Sequence, residues 1–157
     1  MTEIRFAGPG DIDEIVRLRG IMLSQWMDTA DNGWHADTAA VIARRLAEPE
    51  PSMVIPAVDA PDGSGALAAC AVGLVDERLP SPRNRSGRFG LVINVVTDPR
   101  WRRRGFGRAC MDALMDWYEA RDVRILELTA TEAGEGLYRS FGFERLGDAV
   151  MMRRTSF

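Results

Sequence analysis

The sequence predicts an α/β (α+β) fold: a mixed, largely antiparallel central sheet flanked by helices. Three observations carry this. Apolar spacing switches repeatedly between period two and intervals of three and four, so short strands alternate with amphipathic helices. A "PDGSG" turn joins two apolar runs directly, which calls for an antiparallel hairpin. A strand–helix–strand unit in the middle and antiparallel strands at the close complete a mixed order. At 157 residues, with 46% hydrophobic and 27% charged, the chain fits one globular domain, residues 1–157, large enough to bury a core.

The elements follow in order. Residues 3–7, "EIRFA", alternate as a first strand. In "GDIDEIVRLRGIM" Asp11 is an N-cap with Glu14 three residues on, the pattern of a capping box, and Ile12, Ile15, Val16 and Met22 share a helical face. A second helix is expected over residues 37–47 and is ended by Pro49 and Pro51. "MVIPAVDA" and "ALAACAVGLVDE" are the hairpin strands around residues 61–65. "LPSPRNRSGR" is a polar, mobile connector whose length also suits a substrate-facing loop. "FGLVINVVT" is apolar on both faces, with Leu91, Ile93 and Val95 on one side and Val92, Asn94 and Val96 on the other, as in a central strand. Phe106, Ala109, Cys110, Ala113, Leu114, Trp117 and Tyr118 then recur at helical spacing. "RILELTAT" is a strand and "EAGEGLYRSF" a short helix, and "GFERLG" with "AVMMRR" suggests a closing hairpin.

Composition excludes several functions. Twenty Lys+Arg against 23 Asp+Glu leave a net charge of −3, so no general attraction to nucleic acid or anionic lipid is expected. No apolar run is long enough to span a bilayer and no leader pattern opens the chain, so a cytoplasmic protein without a membrane partner is expected. Cys70 and Cys110 lie far apart in apolar segments, as reduced core residues, and no metal is expected.

The chemistry concentrates in "RRRGFGR", residues 102–108, where four arginines and two glycines stand between an apolar strand and a helix. A strand entering a glycine-containing turn at a helix start leaves unpaired N–H groups at the positive end of the helix dipole, which makes an anion site. Gly105 and Gly107 let a phosphate approach the backbone, and the arginines add positive charge. The dipole contributes roughly 0.3–1 kcal/mol per anionic group, so a pyrophosphate needs the converging amides too. The P-loop pattern fails here for want of Lys and Ser/Thr, and the dinucleotide fingerprint meets Cys110 where it needs glycine.

The spacing Arg102-x-x-Gly105-x-Gly107 resembles the acyl-coenzyme A loop of the GNAT N-acetyltransferase superfamily, and "LYRSFGF", residues 137–143, resembles that family's second signature. The resemblance is close over residues 89–143. It implies a GNAT-like sheet with a splayed pair of parallel strands at the coenzyme site, and acetyl-CoA as co-substrate. It implies that the pantetheine arm runs along the backbone of Val95, Val96 and Thr97. The pyrophosphate would then rest on the amides of Arg103, Arg104, Gly105, Phe106, Gly107 and Arg108, with Arg102 as the motif's arginine. A bulge near Val95 or Val96 would free an N–H for the thioester carbonyl. Tyr138 matches the tyrosine that faces the coenzyme sulfur as catalytic acid. Where many members carry a coenzyme-contacting Asn, this chain has Thr131, which serves equally as a helix cap.

The implied function is direct transfer of an acetyl group from acetyl-CoA to a primary amine, on a small molecule or peptide, in a ternary complex. A non-catalytic acyl-CoA-binding sensor is the alternative, and an arginine-rich nucleic-acid patch is disfavoured by the net acidity. Glu127, Asp76, Glu77 and His35 are candidate bases. "SQWMDTADNGWHAD" places Trp26 and Trp34 among carboxylates, which suits either an acceptor wall or two core anchors. A homodimer is left open.

Overall fold

A computed structural model describes residues 2–155 of the chain. Its strands are β1 (Arg5–Phe6), β2 (Met53–Val54), β3 (Pro56–Asp59), β4 (Leu67–Cys70), β5 (Gly73–Glu77), β6 (Arg88–Val92), β7 (Val96–Thr97) and β8 (Ile125–Leu128). Its helices are α1 (Ile12–Leu23), α2 (Gly33–Leu46), α3 (Phe106–Glu119) and α4 (Glu135–Ser140). The strands form two four-stranded sheets, ordered β1-β3-β4-β7 and β2-β5-β6-β8. Residues 53–59, 67–77 and 88–97 each pass from one sheet to the other, through Ile55, through Ala71 and Val72, and through Ile93, Asn94 and Val95. β6 and β8 run parallel, and the other pairings are antiparallel.

Period-two alternation sends neighbouring side chains to opposite faces, and the helices cover both. Met53, Ile55 and Ala57 pack with Ile15, Leu18, Met22 and Ile42 of α1 and α2. Val54, Val58 and Ala60 pack with Cys110, Met111, Leu114, Trp117 and Tyr118 of α3. The Tyr118 hydroxyl lies under the β5–β6 pair, 2.9 Å from the Leu74 carbonyl and 3.0 Å from that of Leu91. Gly90 makes room for it, since a Cβ there would stand 2.7 Å from the tyrosine ring. Both cysteines are buried, and burial pushes the Cys110 thiol up to about 12.

Several expected elements differ. Asp11 precedes α1 without capping it: its carboxylate turns back to the Gly8 N–H at 2.8 Å and to Arg5. Glu14 completes no capping box either, because it is drawn onto Arg17 and the Leu67 N–H. Helix α2 begins four residues earlier than residue 37, where the Asp31 carboxylate accepts from the Gly33 N–H at 2.9 Å. The connector after β5 folds on itself, with Ser81 and Asn84 paired and the Arg78 N–H on the Gly87 carbonyl. The closing hairpin does not form: residues 142–155 contain no strand, and Leu146, Val150, Met151 and Met152 are exposed. Arg145 instead binds Glu135 of α4 through two contacts of 2.6 Å, turning the chain towards that helix. Among the described residues, no helix is long and apolar enough to cross a membrane.

Candidate functional site

The site begins where two parallel strands part. β6 lies between β5 and β8, with Val92 opposite Leu128 as the last parallel pair. Beyond it β7 continues the chain and pairs with β4 on the side that β5 occupied, so its other edge stands uncovered. The splayed parallel pair expected from the resemblance is this opening.

A bulge lies at the parting. Ile93 donates to the Val72 carbonyl at 3.0 Å and Asp98 to that of Ala68 at 2.8 Å, while Val96 stands opposite Cys70. Between Ile93 and Val96 the spacing is three residues, against two between Val72 and Cys70, so one extra residue is inserted at Asn94 and Val95. The packing agrees. Val92 belongs to the α3 side of the core and Val96 to the α1 side, although four residues of regular strand would put both on one face. The expected shared face of Val92 and Val96 is thereby corrected: the inserted residue reverses the alternation, leaving Ile93 46% exposed and Asn94 2% exposed. Because backbone groups alternate along a strand, Val96 faces β4, and the Val95 and Thr97 amides face the open edge.

The chain then enters the arginine turn. Asp98 is anchored from both sides: its carboxylate accepts from the Arg100 amide and guanidinium at 3.0 Å, and from Arg17 of α1 at 2.8 Å. Arg100, helped by Arg17, holds this carboxyl far below the usual carboxylate range. Arg17 also binds Glu14 and the Leu67 carbonyl, so one network ties α1, the start of β4 and the end of β7.

At the turn Arg103 (φ 63°) and Gly105 (φ 78°) are left-handed. Gly105 is the residue before α3 and supplies no side-chain cap. The first α3 bond recorded there is Ala109 N–H to the Gly105 carbonyl, so the amides of Phe106, Gly107 and Arg108 lack intrahelical acceptors. Gly107 lies against the end of β7, where a Cβ would stand 3.5 Å from the Thr97 hydroxyl. Arg102, Arg103, Arg104 and Arg108 are exposed around this corner, with Arg104 over the Trp101 ring and Arg108 over Phe141. The geometry is an uncapped, positively polarised helix start beside an open strand edge, able to bind an extended, phosphate-bearing ligand.

On the β8 side, the Thr131 hydroxyl accepts from the Gly134 N–H at 3.2 Å, as a cap, and keeps its own proton for donation. Tyr138 packs over Gly134 and edge-on to Phe143 at 6.2 Å. Its hydroxyl has no hydrogen-bond partner among the described residues and is not sealed in, and burial of the ring pushes the phenol up, keeping it protonated.

Two of the four candidate bases are engaged by an arginine. Both Glu127 oxygens are taken by Arg78, which also binds Asp76. His35 stacks edge-on against Trp34 at 4.2 Å, and Glu77 is exposed at the end of β5. Trp34 rests against Gly20 of α1, whereas Trp26 is 56% exposed. Asp28 and Asp31 accept backbone N–H groups within their own turns. Sequence reasoning assigned no role to Arg17, Arg19, Asn94 or Asp98. The one local signal was a carboxamide inside an otherwise apolar strand.

Comparison with known proteins follows this geometry. A model of the acetyltransferase (GNAT) family matches residues 19–143. The chain is 34% identical over 76 residues to the N-alpha-acetyltransferase RimI of Mycobacterium tuberculosis, and 35% identical over 74 residues to the uncharacterized protein ML0378 of Mycobacterium leprae. Those stretches cover 41% and 40% of this chain, but only 48% and 21% of the relatives, so it spans about half their length or less. A predicted acetyltransferase with acetyl-CoA from Clostridium acetobutylicum superposes with a TM-score of 0.85 at 21% identity, over 98% of this chain and 96% of that one. A GCN5-related N-acetyltransferase from Ralstonia eutropha gives 0.82 at 24% identity, over 98% and 99%. At such identities the two structures establish a shared fold.

Proposed function

This chain belongs to the acetyltransferase (GNAT) family, and on that footing we propose that it transfers an acetyl group from acetyl-CoA to a primary amine by direct attack in a ternary complex. The observation that carries the reading is the juxtaposition of the uncapped α3 start with the open, bulged edge of β7. The pyrophosphate sits on the amides of Phe106, Gly107 and Arg108, with Arg103 and Gly105 shaping the corner and the arginine side chains adding attraction. The pantetheine arm runs beside β7 and bonds to Val95 and Thr97, while Val96 is spent on β4. The bulge aims an N–H at the thioester carbonyl, where negative charge develops as the amine attacks. Thr131 offers its hydroxyl proton to the same arm.

Tyr138 faces the sulfur. A phenol near 10 and a thiol near 8.5 already make full proton transfer uphill by about 2 kcal/mol. Burial raises the phenol further, so hydrogen bonding to the leaving thiolate, without proton transfer, is its role. Attack is direct because both thiols are buried, and an acyl-enzyme would need one of them at the surface.

The test is release of free coenzyme thiol from acetyl-CoA in the presence of amines. A hydrogen bond to a charged group contributes about 1.5–3 kcal/mol, so Tyr138→Phe is expected to lower kcat by about 10- to 100-fold with little change in the KM for acetyl-CoA. Coenzyme binding without thiol release for any amine class would instead leave a sensor module.

A further inference from the structure

The half-buried arginines of this fold differ in what they meet: Arg45 is bonded to the Ser52 hydroxyl and Arg88 to the Arg121 carbonyl, whereas others, with the exposed Arg78, pair with carboxylates. Arg5 binds Asp11 and Asp59, Arg17 binds Glu14 and Asp98, and Arg78 binds Asp76 and Glu127. Arg19 does not. It is half-buried on α1, and among the described residues no carboxylate oxygen lies within 4.0 Å of it. Its recorded bond runs from Nη1 to the Asn94 side-chain oxygen at 3.1 Å. Asn94 is 2% exposed and its amide nitrogen reaches only the Cys70 sulfur, at 3.9 Å, so this carboxamide is held in place with its oxygen turned to Arg19. Burial pulls the Arg19 guanidinium below its ordinary value, whereas the paired arginines move upward.

A guanidinium carries five N–H donors, and here one is used. The other donors have no partner among the described residues, so they are open to an anion that arrives from outside the chain. Its place narrows the choice. Asn94 is part of the inserted bulge, so Arg19 stands where the acyl group is delivered, while the phosphates of the coenzyme are served by the separate corner at residues 102–108. The anion therefore belongs to the acceptor, and the planar fork of a guanidinium matches a carboxylate. We propose that Arg19 anchors the carboxylate of the acceptor, so that the substrates are small amines bearing a carboxylate, with α-amino acids as the shortest case. This rests on the acetyl-transfer reading above. In an α-amino acid three bonds separate the amine nitrogen from the carboxylate oxygens, so a carboxylate on Arg19 brings the amine beside the bulge.

The test pairs amino acids with their carboxamides. Calorimetry on the full chain loaded with coenzyme A measures each of the common L-amino acids and, for those that bind, the matching amide. At least one acid is expected to bind about 10-fold more tightly than its amide. Arg19→Gln, which keeps a donor for Asn94, removes that difference, and Arg19→Lys retains part of it, with melting temperatures verifying that both variants fold. Equal binding of acid and amide by the wild type, binding of none, or an unchanged ratio in Arg19→Gln overturns the proposal; the first two need no variant at all. Thiol release from acetyl-CoA is read separately. Acid-selective binding without thiol release keeps the anchor and removes the acetyl-transfer reading. Thiol release as fast with amides as with acids removes the anchor and keeps that reading.

Discussion

Gly105 and Arg103 do similar backbone work with different side chains. Both are left-handed, a conformation that costs an L-residue about 1–2 kcal/mol and glycine almost nothing. Gly105→Ala is therefore expected to lower the unfolding free energy by about 1 kcal/mol, and Arg103→Gly to change it in the opposite direction, in urea melts of the unliganded chain. Nothing within 4 Å would touch the new Cβ at position 105, so the loss is one of backbone strain alone. The glycines of this turn were legible in the sequence because spacing and φ preference are local properties. Arg19 was not: on a helix it reads as one more residue of the polar face, and only the neighbouring strand shows that it meets the buried Asn94 carboxamide.

At the scale of elements, the bulge and the Glu14–Arg17–Asp98–Arg100 network set where β7 ends and where α3 begins. The Asp98 carboxyl is lowered on folding, so below about pH 4 the unfolded chain binds more protons than the folded one. Its contribution is complete above that range and is lost as pH falls towards the folded value. Asp98→Asn is accordingly expected to cost about 2–3 kcal/mol at pH 7 and less at pH 3, measured by urea melts at both values, so that the acid limb of the stability profile flattens. α3 was readable from its apolar stripe, but the bulge was not placed by the strand's own pattern. "FGLVINVVT" looks like an unbroken two-faced strand, and the extra residue becomes evident only when Val72 and Cys70 are laid opposite Ile93 and Val96. The closing hairpin failed for a related reason. Its residues carry strand-like alternation, yet a strand needs an edge to pair with, and Arg145 leads the segment to Glu135 instead.

For the whole molecule, the arginine corner lies beside the open edge of β7, and a ligand spanning the two would join elements that the free chain holds by separate contacts. Acetyl-CoA at about 100 times its Kd is expected to add about 2.7 kcal/mol to stability, a rise in melting temperature of roughly 5–10 °C for a chain of this size, measured by a thermal melt. Arg102→Ala combined with Arg104→Ala should shrink that rise and leave the unliganded melting temperature nearly unchanged, since both side chains are exposed. The succession of strand and helix segments up to α4, the two buried cysteines and the arginine–glycine turn were determined by the sequence alone, because periodicity, side-chain polarity and glycine's conformational freedom act within a few residues. The tertiary structure decided the parting of β6–β7 from β8, the inserted residue at Asn94 and the contact of Arg19 with a carboxamide in place of a carboxylate, because register and charge pairing are relations between segments far apart in the chain, and no single segment contains them.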